Sequence, residues 1–463
     1  MRRNRLMALV VGALFVCGCS NYLEEVSQDE VIPKTTTDYS ELLLAYMYKT
    51  YNYEYNLIHT LGDELVINEA SLFEYDNYSF MTVEGVFTWQ PDMWERDNTM
   101  NDGYEYTYTQ LMGINAVLDG IDDAVGEQED RDIVKAEALA LRAFGYFMLV
   151  NLYGEPYNYH KEALGVPLKL DAALVENGIA RSTVEEVYAQ MVDDLEKASE
   201  LFAQYPKRRG NFRVNGTTTD ILLSRVYLYM EEWDKVIEVA NRAIESAEGL
   251  TDYTKISAEE IFYLPTYNNE EVEWMFGYAY IDNYVFKPSP ELLSLYVEGD
   301  KRREFWFNIE GAMVLKCNSK DYEPENTIRV SEAYLNRAEA YVLSEQANLL
   351  GALADLNELR RNRIVGYTDV SITDPETLLE EIRKERRLEL CFDFHRWFDL
   401  RRYGMHELTH EFHINKANPL QVYTLREKDP LWTLPIPQLI MESNIQLQQN
   451  SSAYEPMRQG VAN

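Results

Sequence analysis

The chain has 463 residues and a formal net charge of −35 at pH 7, from 78 acidic and 43 basic side chains. Such an acidic excess argues against nucleic acid as a partner, because neutralising phosphates requires basic surface. It also disfavours polyanionic ligands such as sulfated or uronate-rich glycans, although the simplest interpretation of the charge is a solvated surface.

The N-terminus predicts export and lipidation. Three arginines within the first five residues precede an apolar run from Leu6 to Val16, which is too short to span a bilayer permanently. The run ends in Val16-Cys17-Gly18-Cys19, which resembles a bacterial lipobox. We therefore expect residues 1–18 to be a lipoprotein signal peptide, Cys19 to be diacylated, and 19–37 to form a lipidated tether. The alternative is an ordinary signal peptide that happens to end in cysteine.

The remaining cysteines do not predict a disulfide framework. Cleavage removes Cys17 and lipidation uses Cys19, which leaves Cys317 and Cys391. Cys391 lies between Leu390 and Phe392 and is expected to be a small buried hydrophobic residue.

Helical patterns recur along the chain in pairs. Residues 219–244 and 331–360 each carry apolar and small side chains at spacings that suit two helices packed as a hairpin, similar to a tetratricopeptide repeat. Residues 130–153 with 183–204 form a third pair, and 39–57 with 104–125 a looser fourth. Such repeats bury their apolar faces only by stacking, so we expect one continuous core.

Segments of different composition separate these helices. They are rich in aromatic residues, Asn, Asp and Pro and lack helical periodicity, which indicates long loops and a few short strands. The sequence predicts a mainly α fold: a tetratricopeptide-like helical-repeat scaffold with a loop-rich ligand-binding face made of insertions and a few short strands. We expect a single domain at 38–463. Its helical repeats lie at about 38–57, 104–249 and 330–403, and its insertions at about 58–103, 250–329 and 404–463.

The first insertion contains a dense aromatic cluster at residues 73–94. Its rings are interleaved with Asn, Asp and Gln, and this combination suits sugars, whose C–H faces pack on rings while their hydroxyls bond to short polar groups. An extended peptide would fit the same surface. Because QPDMW is typical of a turn, Trp89 and Trp94 are expected to be the most exposed rings. The ligand contacts predicted here are Trp89, Trp94, Tyr78, Tyr75 and Asp92.

The second insertion contains WMFGYAYIDNY, in which aromatic residues alternate with a period of two. Alternation indicates a strand with one buried face. Trp274 and Tyr278 complete the predicted aromatic contacts.

Residues 380–404 combine an apolar stripe with ordered opposite charges. Ile382, Leu388, Phe392 and Phe398 are expected to share a buried helical stripe. The charged residues lie at spacings where carboxylates and guanidinium groups meet across a helical turn. They are Glu385, Arg386, Glu389, Arg396, Asp399 and Arg401. This pattern predicts a scaffold helix rather than a catalytic site.

Within that segment, ERRLEL followed by HRWFDLRRYG resembles the signature of the SusD/RagB family of outer-membrane nutrient-binding lipoproteins. Other segments resemble the family's landmarks in the same order, so the resemblance covers nearly the whole mature chain. They are AEALALRAFGYFMLVNLYG (136–154), GVPL (165–168), RSTVEEVYAQMVDDLEKA (181–198), SEAYLNRAEAY (331–341) and LWTLPIPQLIMESN (431–444).

The resemblance implies a surface-exposed protein, lipid-anchored in the outer membrane, as in starch utilisation systems of Bacteroidetes. It implies capture of an oligomeric nutrient, by default an oligosaccharide, and delivery to a TonB-dependent SusC-like transporter. It also implies that Asp63, in the acidic pair after the first helix, faces the ligand pocket. Neither a cofactor nor a bound metal is implied.

Two alternatives use other features of the chain. His406-Glu407-Leu408-Thr409-His410 matches the zinc-peptidase pattern His-Glu-x-x-His, in which two imidazoles one helical turn apart bind zinc. Its surroundings lack the apolar helix and the spaced third ligand typical of that class, and we expect no enzyme. The other alternative is a structural adaptor that binds only protein through its helical repeats.

Overall fold

The computed structural model describes residues 33–48, 57–74, 78–95, 103–206, 210–257, 266, 268–277, 281–308, 310–316 and 326–462. Helices dominate these residues and confirm the mainly α prediction. The helices are α1 (Thr36–Met47), α2 (Ile58–Leu61), α3 (Tyr78–Phe87), α4 (Tyr104–Gly120), α5 (Gln128–Tyr153), α6 (Tyr157–His160), α7 (Val184–Gln204), α8 (Gly216–Met230), α9 (Trp233–Ser246), α10 (Pro290–Leu295), α11 (Lys301–Phe305), α12 (Val330–Leu343), α13 (Leu349–Arg361), α14 (Pro375–Glu389), α15 (Arg396–Arg402) and α16 (Gln438–Ser443).

The long helices pack as successive hairpins around α5. From Ala136 to its end, every residue of α5 is buried, with α4 and α7 packed against it. In the next hairpin, α8 turns into α9 at Glu231, whose φ of 63° reverses the chain. Helix α9 buries Val236, Val239, Ala240 and Ala243, at the spacing of one helical face. The α12–α13 hairpin stacks next, as the repeat pattern predicts.

Among the described residues, three small antiparallel sheets lie beside the helices. They contain β1 (Leu65–Ile67) with β3 (Phe286–Pro288), β2 (Val272–Phe276) with β4 (Asn326–Arg329), and β5 (Leu408–Phe412) with β6 (Gln421–Leu425) and β7 (Val461–Ala462). Only the start of the alternating aromatic segment, residues 274–276, lies in a strand, β2, and all five residues of β2 are buried rather than one face only. Residues 278–280 lie outside the described residues.

One hydrophobic core joins helices and insertions. Its buried side chains run from Tyr39 to Leu447, with two smaller clusters beside it. The domain boundaries proposed from sequence stay a prediction.

Part of the first insertion is helical rather than a loop. Residues 78–87 form α3, which buries Phe80, Val83 and Phe87 at spacings of three and four. Its helical period is not evident from the sequence, because aromatic residues occupy exposed as well as buried positions.

The charged segment 380–404 forms two helices, not one. Helix α14 ends at Glu389, and α15 starts at Arg396. Between them, Phe392 and Phe394 adopt φ values of 60° and 64°, which a helix does not contain. The prediction that Phe392 continues the helical stripe is therefore wrong, although its side chain is buried as expected.

Most charges of this segment form buried ion pairs with side chains from other elements, so the prediction that they pair across one helical turn is wrong. The Glu389 carboxylate accepts hydrogen bonds from Arg302, Arg329 and Arg363 at 2.5–3.0 Å. Arg386 donates to Asp399 at 2.8 Å. These contacts confirm the scaffold interpretation. Cys391 is also buried, as expected.

Candidate functional site

Trp89 is fully buried, which corrects the prediction that it is exposed. Its indole nitrogen donates to the Leu61 carbonyl at 3.0 Å, and its ring stacks on His410 at 4.1 Å between centroids. The QPDMW turn exists, but Trp89 has a φ of 50° there and its ring lies inside the core. A side chain without exposed surface contacts no ligand in this conformation.

Trp274 is also fully buried. It stacks on Phe276 at 4.5 Å and meets Phe144 edge to face at 4.9 Å. Because both faces of β2 are covered, its alternation reflects core packing.

Asp63 belongs to the scaffold contacts. Arg396 donates to both of its carboxylate oxygens at 2.7 Å, and Arg387 lies 3.2 Å away. Burial alone would raise the pKa of Asp63, but the two guanidinium groups lower it to about 2. Its charge is thus already neutralised by the protein.

The other predicted contacts differ in exposure. Trp94 is half-buried and donates to the Pro435 carbonyl at 2.7 Å, and Asp92 is half-buried in the same turn. Tyr78, the first residue of α3, is 67% exposed. Tyr75, Tyr278 and Cys19 lie outside the described residues.

The structure places two exposed aromatic side chains together on the loop-rich half. Phe73 is 61% exposed, and its ring lies 6.4 Å from the ring of Tyr284, which is also exposed. Tyr284 meets the fully buried Phe80 of α3 at 6.1 Å, so the core supports it from below. On α3, Tyr78 and Met81 share one helix face and are both exposed. We call Phe73, Tyr78, Met81 and Tyr284 the aromatic platform.

Pairing of β1 with β3 positions this platform. Ile67 lies opposite Phe286, which brings the chain before Phe73 beside the turn that carries Tyr284. Asn68 strengthens the junction, since its backbone N–H donates to Val285 and its side-chain amide donates to Asn283. The platform therefore rests on paired backbone.

A tight turn presents the Tyr284 ring. The Asp282 carboxylate accepts the Tyr284 backbone N–H at 2.9 Å, and the Asp282 carbonyl accepts from Phe286 at 2.8 Å. The Asn283 amide binds the backbone N–H and carbonyl of Val314 at 2.8 and 3.0 Å. Asp-Asn before an aromatic residue is a turn signal, and it could have identified Tyr284 from sequence.

The platform combines flat apolar surface with short polar groups. Glu74 is exposed beside Phe73, and Asp282 and Asn283 are half-buried beside Tyr284. This composition suits a neutral, hydroxyl-rich ligand whose C–H faces pack on rings. The carboxylates disfavour an anionic ligand.

The His-Glu-x-x-His segment does not form a zinc site. Residues 408–412 form strand β5, so the two histidines do not lie one helical turn apart. His406 is exposed, whereas His410 is buried with its ring nitrogens 2.7 Å from the Phe87 carbonyl and 2.8 Å from the Gly62 carbonyl. Burial lowers the pKa of His410. Within the described part of the chain, no group of three His, Cys, Asp or Glu side chains is placed to hold a metal ion.

Glu64, next to Asp63, is a buried carboxyl with an incomplete set of partners. One oxygen accepts the Phe392 backbone N–H at 3.2 Å, and the other has no hydrogen-bond partner. Burial raises the pKa of Glu64 to about 7, although Arg396 and Arg387 oppose the shift. This carboxyl supports the Phe392 turn and lies away from the surface.

A concavity of about 360 Å³, separate from the aromatic platform, lies between α4, residues 167–179 and α16. We call it the second concavity. Tyr108 and Met112 line it, and Leu174 at its edge is 92% exposed. Several of its polar groups already bind protein: Tyr108 donates to the Pro167 carbonyl and Asn444 to the Ile179 carbonyl. Its lining also includes the charged residues Glu105, Lys169 and Asp171.

Comparison with known proteins agrees with this architecture. A family model described as starch-binding associating with outer membrane matches residues 21–228, and the SusD family model matches 301–454. SusD-like protein P25 of Formosa agariphila is 23% identical over 282 residues. That match covers 58% of this chain and half the length of the relative.

Solved structures of similar proteins share the fold over nearly their whole length. A putative sugar-binding protein of Bacteroides vulgatus has a TM-score of 0.71 at 21% identity, covering 91% of this chain and 99% of that one. A SusD superfamily protein of Bacteroides thetaiotaomicron has a TM-score of 0.69 at 24% identity, with 90% and 99% covered. A laminarin-binding SusD-like protein has a TM-score of 0.64 at 19% identity and the same coverage.

Proteins of this family are associated with the outer membrane. In the ranges that the structure describes, no helix is long and apolar enough to cross a membrane. The two family models cover most of the sequence, in the order expected from the motifs. The chain belongs to the SusD/RagB family.

Proposed function

We propose that this protein is a surface-exposed lipoprotein of the outer membrane that binds a neutral oligosaccharide on its aromatic platform. The observation that carries the proposal is the pair of exposed rings, Phe73 and Tyr284, supported on the core through Phe80 and flanked by short polar side chains. Rings held in this way keep their position without a ligand, so little conformational entropy is lost when one binds.

Family membership supports a carbohydrate ligand. A laminarin-binding SusD-like protein shares the fold. The net charge of −35 is compatible with an uncharged ligand and opposes a polyanionic one.

The protein would deliver its ligand to a TonB-dependent SusC-like transporter. Residues 1–18 would be removed as a signal peptide, Cys19 would carry the lipid, and residues 19–37 would tether the single domain at 38–463. The helical repeats would dock on the transporter, and the loop-rich half would close over the ligand.

Calorimetry of the soluble form lacking residues 1–19, against neutral oligosaccharides and a peptide digest, tests the ligand class. Removing two platform rings with Phe73→Ala and Tyr284→Ala should weaken oligosaccharide binding by at least about tenfold, because each ring supplies stacking surface. The control is Leu174→Ala, which removes an exposed apolar side chain outside the platform and should leave the affinity unchanged.

The outcomes separate the candidates. Loss of binding in the Leu174 variant alone would move the site to the second concavity. Binding heat with the peptide digest and none with any glycan would show that the ligand is a peptide and not an oligosaccharide. Binding of neither, with stable co-purification of a transporter, would favour a structural adaptor.

A further inference from the structure

A small cavity of about 10 Å³ lies where the helical repeats meet the β2–β4 sheet. The rings of Phe144, Phe276 and Phe394 form much of its wall. Gln110, Trp274 and Asn326 also line it and supply polar groups. A cavity of this volume holds one water-sized molecule.

Two polar atoms of these lining residues are buried without a hydrogen-bond partner. They are the indole nitrogen of Trp274, which is 0% exposed, and the side-chain oxygen of Asn326, which is 3% exposed as a residue. One is an obligate donor and the other an acceptor. Buried polar groups are nearly always paired, so two orphaned atoms of opposite kind at one cavity require an explanation.

The positions of both residues are determined by their surroundings. Trp274 is held by the stacked ring of Phe276 and the perpendicular ring of Phe144. Asn326 lies opposite Phe276 in the β2–β4 register. Gln110 is anchored because its amide nitrogen donates to the Tyr46 carbonyl at 3.3 Å. Neither indole nor amide can turn to another partner without disturbing the sheet.

We propose that this cavity is a binding site for one structural water molecule. The water accepts the Trp274 indole N–H and donates to the Asn326 side-chain oxygen. The Gln110 side chain supplies a third contact, which matches the number that buried waters usually make. The site joins α4 to β2 and β4, and so fastens the helical repeats to the insertion between residues 277 and 326. Trp274 acts here as a positioning residue for that insertion.

A crystal structure of the soluble form lacking residues 1–19, at a resolution that shows ordered water, tests the proposal. We expect one density peak within hydrogen-bond distance of both the Trp274 indole nitrogen and the Asn326 oxygen. The matched control is Trp89, an equally buried indole that donates directly to a backbone carbonyl and should have no water on its nitrogen. A cavity without density, or an Asn326 oxygen that accepts directly from Trp274, overturns the proposal.

Asn326→Leu provides a second test with a nearly isosteric apolar side chain. We expect the water peak to be lost and the Tm to fall. If this variant does not fold, the crystal structure of the unsubstituted protein alone tests whether the water is bound. A peak that persists unchanged on Trp274 in the variant would show that Asn326 is not a ligand of the water.

Discussion

At the scale of single residues, depth in the core separates structural aromatic side chains from candidate ligand contacts. Trp89 and Trp274 lie inside, whereas Phe73 and Tyr284 lie outside, although all four occur in aromatic insertions. Large rings bury more apolar area than any other side chain, so the core takes them unless the backbone turns them outward. For Tyr284 that turn is made by Asp282.

The two histidines of the His-Glu-x-x-His segment should contribute unequally to stability. His410→Ala removes a buried ring stacked between Phe87 and Trp89 and should cost about 2–4 kcal/mol of the free energy of unfolding. His406→Ala, at an exposed position, should change it by less than about 0.5 kcal/mol. Chemical denaturation with zinc and with a chelator measures both. Equal, zinc-dependent losses would instead indicate a metal site.

Glu64 should make stability depend on pH near neutrality. Its folded pKa of about 7 lies above the ordinary glutamate pKa of 4.5, so the fold favours the protonated form. This contribution is fully present below pH 4.5, decreases as the pH rises to 7, and is lost above it. Between pH 5 and 8 the native protein should lose about 2 kcal/mol more stability than Glu64→Gln. Urea denaturation at both pH values compares the two, and parallel losses would contradict the assignment. Asp63, whose pKa is lowered, titrates far below this window.

At the scale of elements, the break between α14 and α15 organises the buried charges. The left-handed turn at Phe392 and Phe394 ends one helix and lets the next start in a new direction. Glu389 then faces three arginines from other elements, while Arg396 reaches Asp63 in the first insertion. The turn thus connects the repeats to the loop-rich half.

Glu389→Gln should be strongly destabilising. It leaves Arg302, Arg329 and Arg363 buried with less opposing charge, and breaking such a network costs about 3–5 kcal/mol. Glu358→Gln is the matched control, because Glu358 pairs with Arg361 at 2.6 Å with both side chains more than 40% exposed. That substitution should cost less than about 1 kcal/mol. Guanidinium denaturation measures both, and similar costs would show that burial does not govern the Glu389 contacts.

At the scale of the whole molecule, the helical repeats supply a stable body that holds the aromatic platform in place. The core runs continuously from the first helix to the C-terminal region, so the insertions are packed on the scaffold rather than appended to it. A pre-formed platform on an acidic surface is suited to capturing neutral polymers at the cell surface.

Cys19→Ser tests the proposed membrane anchor. Without a thiol to acylate, the protein should shift from the membrane fraction to the soluble fraction, because residues 19–37 alone provide no lipid chains. Fractionation with immunoblotting detects the shift, and Cys391→Ser is a control that keeps the lipidation position. Retention of the Cys19 variant in the membrane would contradict lipid anchoring there.

Much of the architecture could be predicted because helical periodicity and the ordered motifs are local properties of the chain. The α8–α9 and α12–α13 hairpins follow the expected spacings, whereas the ion pairs of residues 385–399 do not, because their partners lie in distant segments. The α14–α15 break was not predictable, since Phe392 suits a helical stripe equally well. It depends on Glu64, more than three hundred residues away, which accepts the Phe392 backbone N–H.

The sequence by itself determined the helical repeats, the family and the export signal proposed for the N-terminus, because each depends on residues close together in the chain. Only the tertiary structure decided which rings are exposed, that Asp63 binds arginines, and that His410 faces backbone carbonyls. Burial and hydrogen bonding depend on partners brought together from distant segments, and a local sequence pattern does not identify those partners. For the same reason the structure removes Trp89 and Trp274 from the candidate site, keeps the predicted Tyr78 exposed and adds Phe73 and Tyr284.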